Sequence, residues 1–138
     1  MAVTVVSSEE LRIDVEHDIV RVRHRVREIA QRLHLDSFAI AAVTTAASEL
    51  SRNVWMHARG GVALVEEVTD GARGGIRATF RDQGPGIGDV ERAMAGGYST
   101  ARSMGLGLSG SKRLVDAFDL ETQRGVGTTV SFIKWKPY

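Results

Sequence analysis

Asp82-Gln83-Gly84-Pro85-Gly86-Ile87-Gly88 is the stretch on which the fold turns. It holds three glycines and one of the chain's two prolines. Just before it, Gly75-Ile76-Arg77-Ala78-Thr79-Phe80-Arg81 alternates apolar and polar residues, the period of a strand with one buried face. A carboxylate therefore sits where a strand ends, and a rigid loop poor in side chains follows. Glycines in such a loop allow positive φ and let a ligand approach the main chain. Gly-Pro pairs also mark ordinary turns, so the stretch alone reads equally well as a connection between two elements.

Working outward, Val62-Ala63-Leu64-Val65-Glu66-Glu67-Val68 reads as a strand, and the loop Asp70 to Gly75 returns it as a hairpin. Upstream, a helix runs from about Asp36, a capping residue, to Met56 or His57, with Phe38, Ala42, Val43, Ala46, Leu50 and Val54 at helical spacing. Small side chains from Ala39 to Ala47 permit close packing. An earlier helix starts at about Asp18, another capping residue, with Ile19, Val22, Val26, Ile29, Ala30 and Leu33 in one stripe. Its other positions carry Arg21, Arg23, Arg25, Arg27 and Arg32, which read as a solvated face in a nearly neutral chain. A nucleic-acid surface and a protein docking face are the alternatives there. Residues 1–16 hold two short alternations, Val3 to Val6 and Leu11 to Val15, enough for one or two strands.

Downstream, Asp89 to Met104 is irregular, with a short helical piece at Val90 to Ala95, and is expected to form a mobile lid. Gly105-Leu106-Gly107-Leu108-Ser109-Gly110 opens a helix expected to run to about Ala117. Phe118 to Thr122 reads as a strand, Gly125-Val126-Gly127 as a turn, and Thr128 to Trp135 as a final strand. Helices mixed with hairpins predict a single α/β domain, a two-layer α/β sandwich with the helices on one face of a mixed sheet.

Composition narrows the function classes. The chain has 138 residues, 43% apolar and 25% charged, with a net charge of +1 and no cysteine. Disulfides, thiolate catalysis and Cys-based zinc sites are excluded. The charge balance gives no reason to expect nucleic acid or a membrane as partner. No stretch reads as a signal peptide or a membrane span, so a cytoplasmic location is expected. Of the 15 glycines, 13 lie between Gly60 and Gly110. A ligand is to be sought there.

Glu49 and Asn53 are four residues apart in the second helix and share a face, about 6 Å apart along the axis. A carboxylate and a carboxamide so placed can activate a hydroxyl or water and give an oxygen ligand to a hard cation. A solvated helix face is the plain alternative. His57 lies one turn further on, where a histidine often serves only the helix dipole. The loop Gly105 to Gly110 offers free backbone N–H groups to phosphate. It follows no buried strand, so it is not a Rossmann loop, and the P-loop and protein-kinase signatures are absent.

In order, Glu49-x-x-x-Asn53, Asp82-x-Gly84-x-Gly86, Gly105-x-Gly107-Leu108 and Gly125-x-Gly127-Thr128 resemble the N, G1, G2 and G3 boxes of the GHKL ATPase/kinase superfamily. The spans Ala47 to Asn53, Asp82 to Ile87, Lys112 to Asp116 and Ile133 to Trp135 resemble the RsbT-like serine/threonine protein kinases. The resemblance implies ATP and Mg²⁺ as cofactors. It implies that Asp82 accepts the adenine amino group, supported by Thr128. Gly84, Gly86 and Ile87 would border the base. Asn53 would hold Mg²⁺, Glu49 would be the general base, and Gly105, Gly107 and Leu108 would wrap the phosphates. His57 stands where relatives often carry a basic residue near the phosphates.

The implied substrate is a STAS-domain protein of a partner-switching or stressosome pathway, with a PP2C-type phosphatase as a second partner. A nucleotide-dependent binding switch and an anti-sigma factor are the other readings. Gly105-Leu106-Gly107-Leu108 looks more like a histidine kinase. No phosphoacceptor histidine domain precedes it in this sequence, so a complete histidine kinase is not expected.

Overall fold

The hairpin read from the sequence is the centre of the sheet. In a computed structural model that describes residues 2–88 and 107–137, β2 (Gly61–Thr69) and β3 (Gly74–Asp82) pair antiparallel, with Gly61 opposite Asp82 and Ala63 opposite Phe80. Alternation sends Ala63, Val65, Ala78 and Phe80 to one face, and all four are buried. The outer strand β1 (Thr4–Ile13) pairs with β2, and β5 (Gly127–Trp135) pairs with β3 and with β4 (Ala117–Gln123). The order is β1-β2-β3-β5-β4.

Every neighbouring pair is antiparallel, so the sheet is not mixed as the sequence suggests. The reason lies in the connections. Two helices, not one, join β1 to β2, so the chain makes an extra pass and re-enters antiparallel. β3 and β4 run the same way, but β5 lies between them, antiparallel to both. The two-layer α/β sandwich itself stands.

Helices α1 (Asp18–Arg32), α2 (Ser37–Ala58) and α3 (Leu108–Leu114) make the second layer. Val22, Val26, Val43, Ala46 and Ala47 are fully buried, and the two alanines let α2 lie close to the sheet. Phe80 and Phe132 stack at 6.3 Å beneath them. Each such large side chain contributes about 1.5–3 kcal/mol by leaving water. Of the α1 arginines, Arg21 pairs with Asp18, Arg25 with Glu9 and Glu28, and Arg32 with Glu67. These pairs fit the solvated-face reading.

Boundaries depart from the sequence reading in three places. The two N-terminal alternations are one strand with an irregularity between Val5 and Ser7. Asp36 does cap α2, accepting from the Ala39 N–H at 2.8 Å. Asp18, however, is the first helical residue, and it accepts backward from the N–H groups of Asp14 and Val15 at 2.9 and 3.1 Å. It fastens the β1–α1 turn and leaves the helix N–H groups alone. The third helix ends at Leu114, not near Ala117. Val115 is extended and the Asp116 N–H already bonds the Ile133 carbonyl, so the chain has joined the sheet. The lid and helical piece expected over Asp89 to Met104 lie outside the described residues.

Candidate functional site

α2 carries the first half of the site. Residues four apart in a helix advance by about 40°, so Glu49, Asn53 and His57 follow one another along its flank. Across from Glu49 stands Gly107, which opens α3 in the left-handed conformation at φ 67°. A Cβ added there would lie 2.8 Å from Glu49 Oε2. The glycine is therefore needed twice, for its φ and for the carboxylate beside it. The other oxygen, Oε1, faces Arg52 Nη1 at 3.5 Å. Leu108 is 1% exposed, so its side chain anchors α3 in the core and only its main chain can meet a ligand. Gly105 lies outside the described residues.

The second half is built on the sheet. Gly61, Asp82, Thr128 and Thr122 form one row across four strands, on the helix-facing side. Asp82 Oδ1 accepts from the Gly84 N–H at 2.9 Å. Burial raises the Asp82 carboxyl above the ordinary carboxylate range, while N–H groups of Gly84 and Thr128 and the nearby His57 act the other way. His57 is lowered by burial, opposed by Asp82. The imidazole and the strand-end carboxylate are thus near enough to act on each other electrostatically.

The loop after Asp82 is clamped on both sides. A Cβ on Gly84 would lie 2.6 Å from that of Ala58, so the loop rests on the last turn of α2. Gly86, at φ 77°, backs onto the Gln123 carbonyl, where a Cβ would come within 2.6 Å. The Gly125 N–H bonds the Pro85 carbonyl at 2.8 Å. The Ile87 N–H reaches Thr122 Oγ1 at 2.9 Å, and that hydroxyl also meets Thr128 Oγ1 at 2.9 Å and the Gly127 carbonyl at 3.2 Å. Thr122 is the residue the sequence reading missed as part of the site. Its signal was the alternation Phe118, Leu120, Thr122, which puts it on the inner face.

So the structure brings Glu49 to Gly107, and Asp82 to Thr128, Gly84 and His57. Gly86 and Ile87 are held by the β4–β5 hairpin. A family model described as the histidine kinase-like ATPase domain matches residues 12–134. The chain belongs to this family. Its members' kinship extends to a serine/threonine-protein kinase, RsbT of Bacillus subtilis, 42% identical over 125 residues, or 91% of this chain and 94% of that protein. In fold, this histidine kinase-like ATPase domain is similar to a solved structure holding the RsbU and RsbW domains of a Mycobacterium tuberculosis protein. The TM-score is 0.66 at 21% identity, over 96% of this chain and 33% of that longer one. No helix among the described residues is long and apolar enough to cross a membrane, and no cluster of three or more acidic or histidine side chains poised for a metal occurs among them.

Proposed function

We propose that this chain is an ATP-dependent serine/threonine protein kinase whose substrate is a STAS-domain regulator in a cytoplasmic partner-switching pathway, with a PP2C-type phosphatase as a further partner. Two things support the reading: the 42% identity to a serine/threonine-protein kinase and the placement of Glu49 against Gly107. The second carries the chemistry.

The residues suit a magnesium nucleotide. Asp82 is a half-buried acceptor anchored by main-chain N–H groups, as an adenine amino group requires. Asn53 follows Glu49 by one turn of α2 and carries an amide oxygen, and Mg²⁺ commonly takes one or two side-chain oxygens together with phosphates. ATP supplies the phosphoryl group. Glu49 takes the proton of the substrate's serine or threonine hydroxyl. That oxygen bonds to the γ-phosphorus as the bridge to the β-phosphate breaks, and ADP leaves. Phosphoryl transfer needs mainly positioning and charge neutralisation. Gly107, lacking a side chain, leaves the Glu49 carboxylate where it stands, and the clamped loop of Gly84, Gly86 and Ile87 fixes the base end.

The test is incubation with γ-labelled ATP, Mg²⁺ and STAS proteins of the same genome. Label on a serine or threonine, lost in Glu49→Ala, supports the kinase. ATP-dependent complex formation without label would replace it by a binding switch. Tight binding to a sigma subunit would replace it by an anti-sigma factor.

A further inference from the structure

At the sheet end that carries Asp82, a groove runs from the C-terminus of α2 past the strand ends to the face turned away from the helices. Arg12 of β1, Val62 of β2 and Arg81 of β3 stand opposite one another in the ladder. Strand alternation sends both arginines away from the helices. Arg59, which ends α2 in the left-handed conformation at φ 62°, adds a third guanidinium. Together with Gly60 and Gly61 they border an open groove of about 450 Å³. At about 30 Å³ per water, that is room for a short peptide segment and not only for an ion.

The charges in the groove are unevenly matched. Asp14 is held by Arg12, whose Nε and Nη2 donate to its two carboxylate oxygens at 3.0 and 3.2 Å. Asp82 also lines the groove, but its side chain belongs to the opposite face, where it accepts from Gly84. Arg59 and Arg81 have no carboxylate partner among the described residues. With the Asp82 carboxylate on the other face, three arginines against Asp14 leave the groove at +2. That excess suits one or two carboxylates and not a polyanion such as nucleic acid. The Arg12–Asp14 pair shows the geometry: a guanidinium fork on a carboxylate, above the apolar floor of Val62.

We propose that this groove docks an acidic segment of a partner protein, with Asp or Glu side chains on Arg59 and Arg81. The reading stands independently of the kinase assignment. The test follows backbone amides of the labelled full chain by NMR at about 50 mM salt, where screening is weak. The probe is the synthetic peptide Gly-Glu-Glu-Leu-Glu-Gly. Saturable shifts at Gly60, Gly61, Val62 and Arg81 are expected. The double variant Arg59→Gln, Arg81→Gln should bind about tenfold more weakly, with its thermal melt unchanged, and Arg59→Lys, Arg81→Lys should recover part of the loss. No shift with the acidic peptide overturns the proposal. So do equal shifts with the glutamine counterpart or with inorganic phosphate, and so does undiminished binding by the double glutamine variant.

Discussion

Gly107 and Glu49 are packed so closely that a β-carbon on the glycine would lie 2.8 Å from Glu49 Oε2 and 3.0 Å from its Cβ, and the carboxylate would have to move. The predicted consequence is a separation of binding from transfer. Gly107→Ala adds a left-handed strain of about 1–2 kcal/mol and pushes the carboxylate aside. Phosphoryl transfer should fall by about a hundredfold or more, while ATP affinity falls much less. Glu49→Ala should reproduce the loss of transfer with nucleotide still bound. Equilibrium ATP binding beside single-turnover transfer checks this. If both variants lose affinity and transfer together, the assignment of Glu49 is wrong.

Asp82 carries the base-recognition prediction. Asp82→Asn removes the charged acceptor and should weaken ATP by about 1.5–3 kcal/mol, roughly tenfold to a hundredfold in Kd. The pH dependence has a definite sign. Burial raises the Asp82 carboxyl, so it takes up its proton above the ordinary value of about 3.9. ATP affinity should therefore fall as the solution is acidified toward pH 4, earlier than an ordinary carboxylate allows. The asparagine variant should lack that limb. Calorimetric titration of ATP across this range decides the matter, and an identical profile in both proteins removes Asp82 from the site.

Thr122 is predicted to matter despite lying far along the sequence from the glycine loop. Thr122→Val keeps the shape but leaves the Ile87 N–H and Thr128 hydroxyl without their shared partner. A buried group left unpaired costs about 1–3 kcal/mol. The unfolding free energy should drop by that amount, the melt with it, and ATP should bind more weakly, whereas Thr122→Ser should behave like the parent. Equal melts for the valine and serine variants would show that the hydroxyl hub is unimportant.

Asp18 and Asp70 set an acid-stability prediction. Asp18 is lowered by the Asp14 N–H first, then by Arg21 and the Val15 N–H. Asp70 is lowered by the N–H groups of Arg73 and Ala72. A carboxylate lowered on folding adds stability that is complete above its unfolded pKa and is lost as pH falls through the folded one. Unfolding free energy should therefore drop below about pH 4. Asp18→Ala should cost about 1–3 kcal/mol at neutral pH and flatten part of that acid slope. Urea titrations at pH 3 and pH 7 compare the two proteins.

Most of the architecture is written in local patterns. The helical stripe of α1, the β2–β3 alternation and the Asp36 cap all arise from residues near in sequence, and each appears as read. The α2 stripe holds from Val43 to Val54, but Phe38, read into it from its spacing, is 86% exposed because the first turn of α2 projects beyond the layer that the helix covers. What the sequence could not show depends on partners far away. Asp18 looks like a cap until Asp14 and Val15 turn back onto it. Thr122 looks like an ordinary strand residue until Ile87 and Thr128 arrive. His57 reads as a helix-end histidine, and only the fold sets Asp82 beside it. The mixed sheet was misjudged because strand order is a property of the whole chain, and periodicity reports only one strand at a time.

β5 lies inside the sheet, between β3 and β4, yet it is made after every other described element. A ribosome that has released the chain as far as Gln123 has produced β3 with one edge bare and Asp82 without Thr128. Chains are synthesised and begin folding from the N-terminus, so the surroundings of Asp82 are completed only when β5 has emerged. If Asp82 is the base-binding residue, a chain cut before β5 lacks the strand that faces it, while the α2 half of the site is already made.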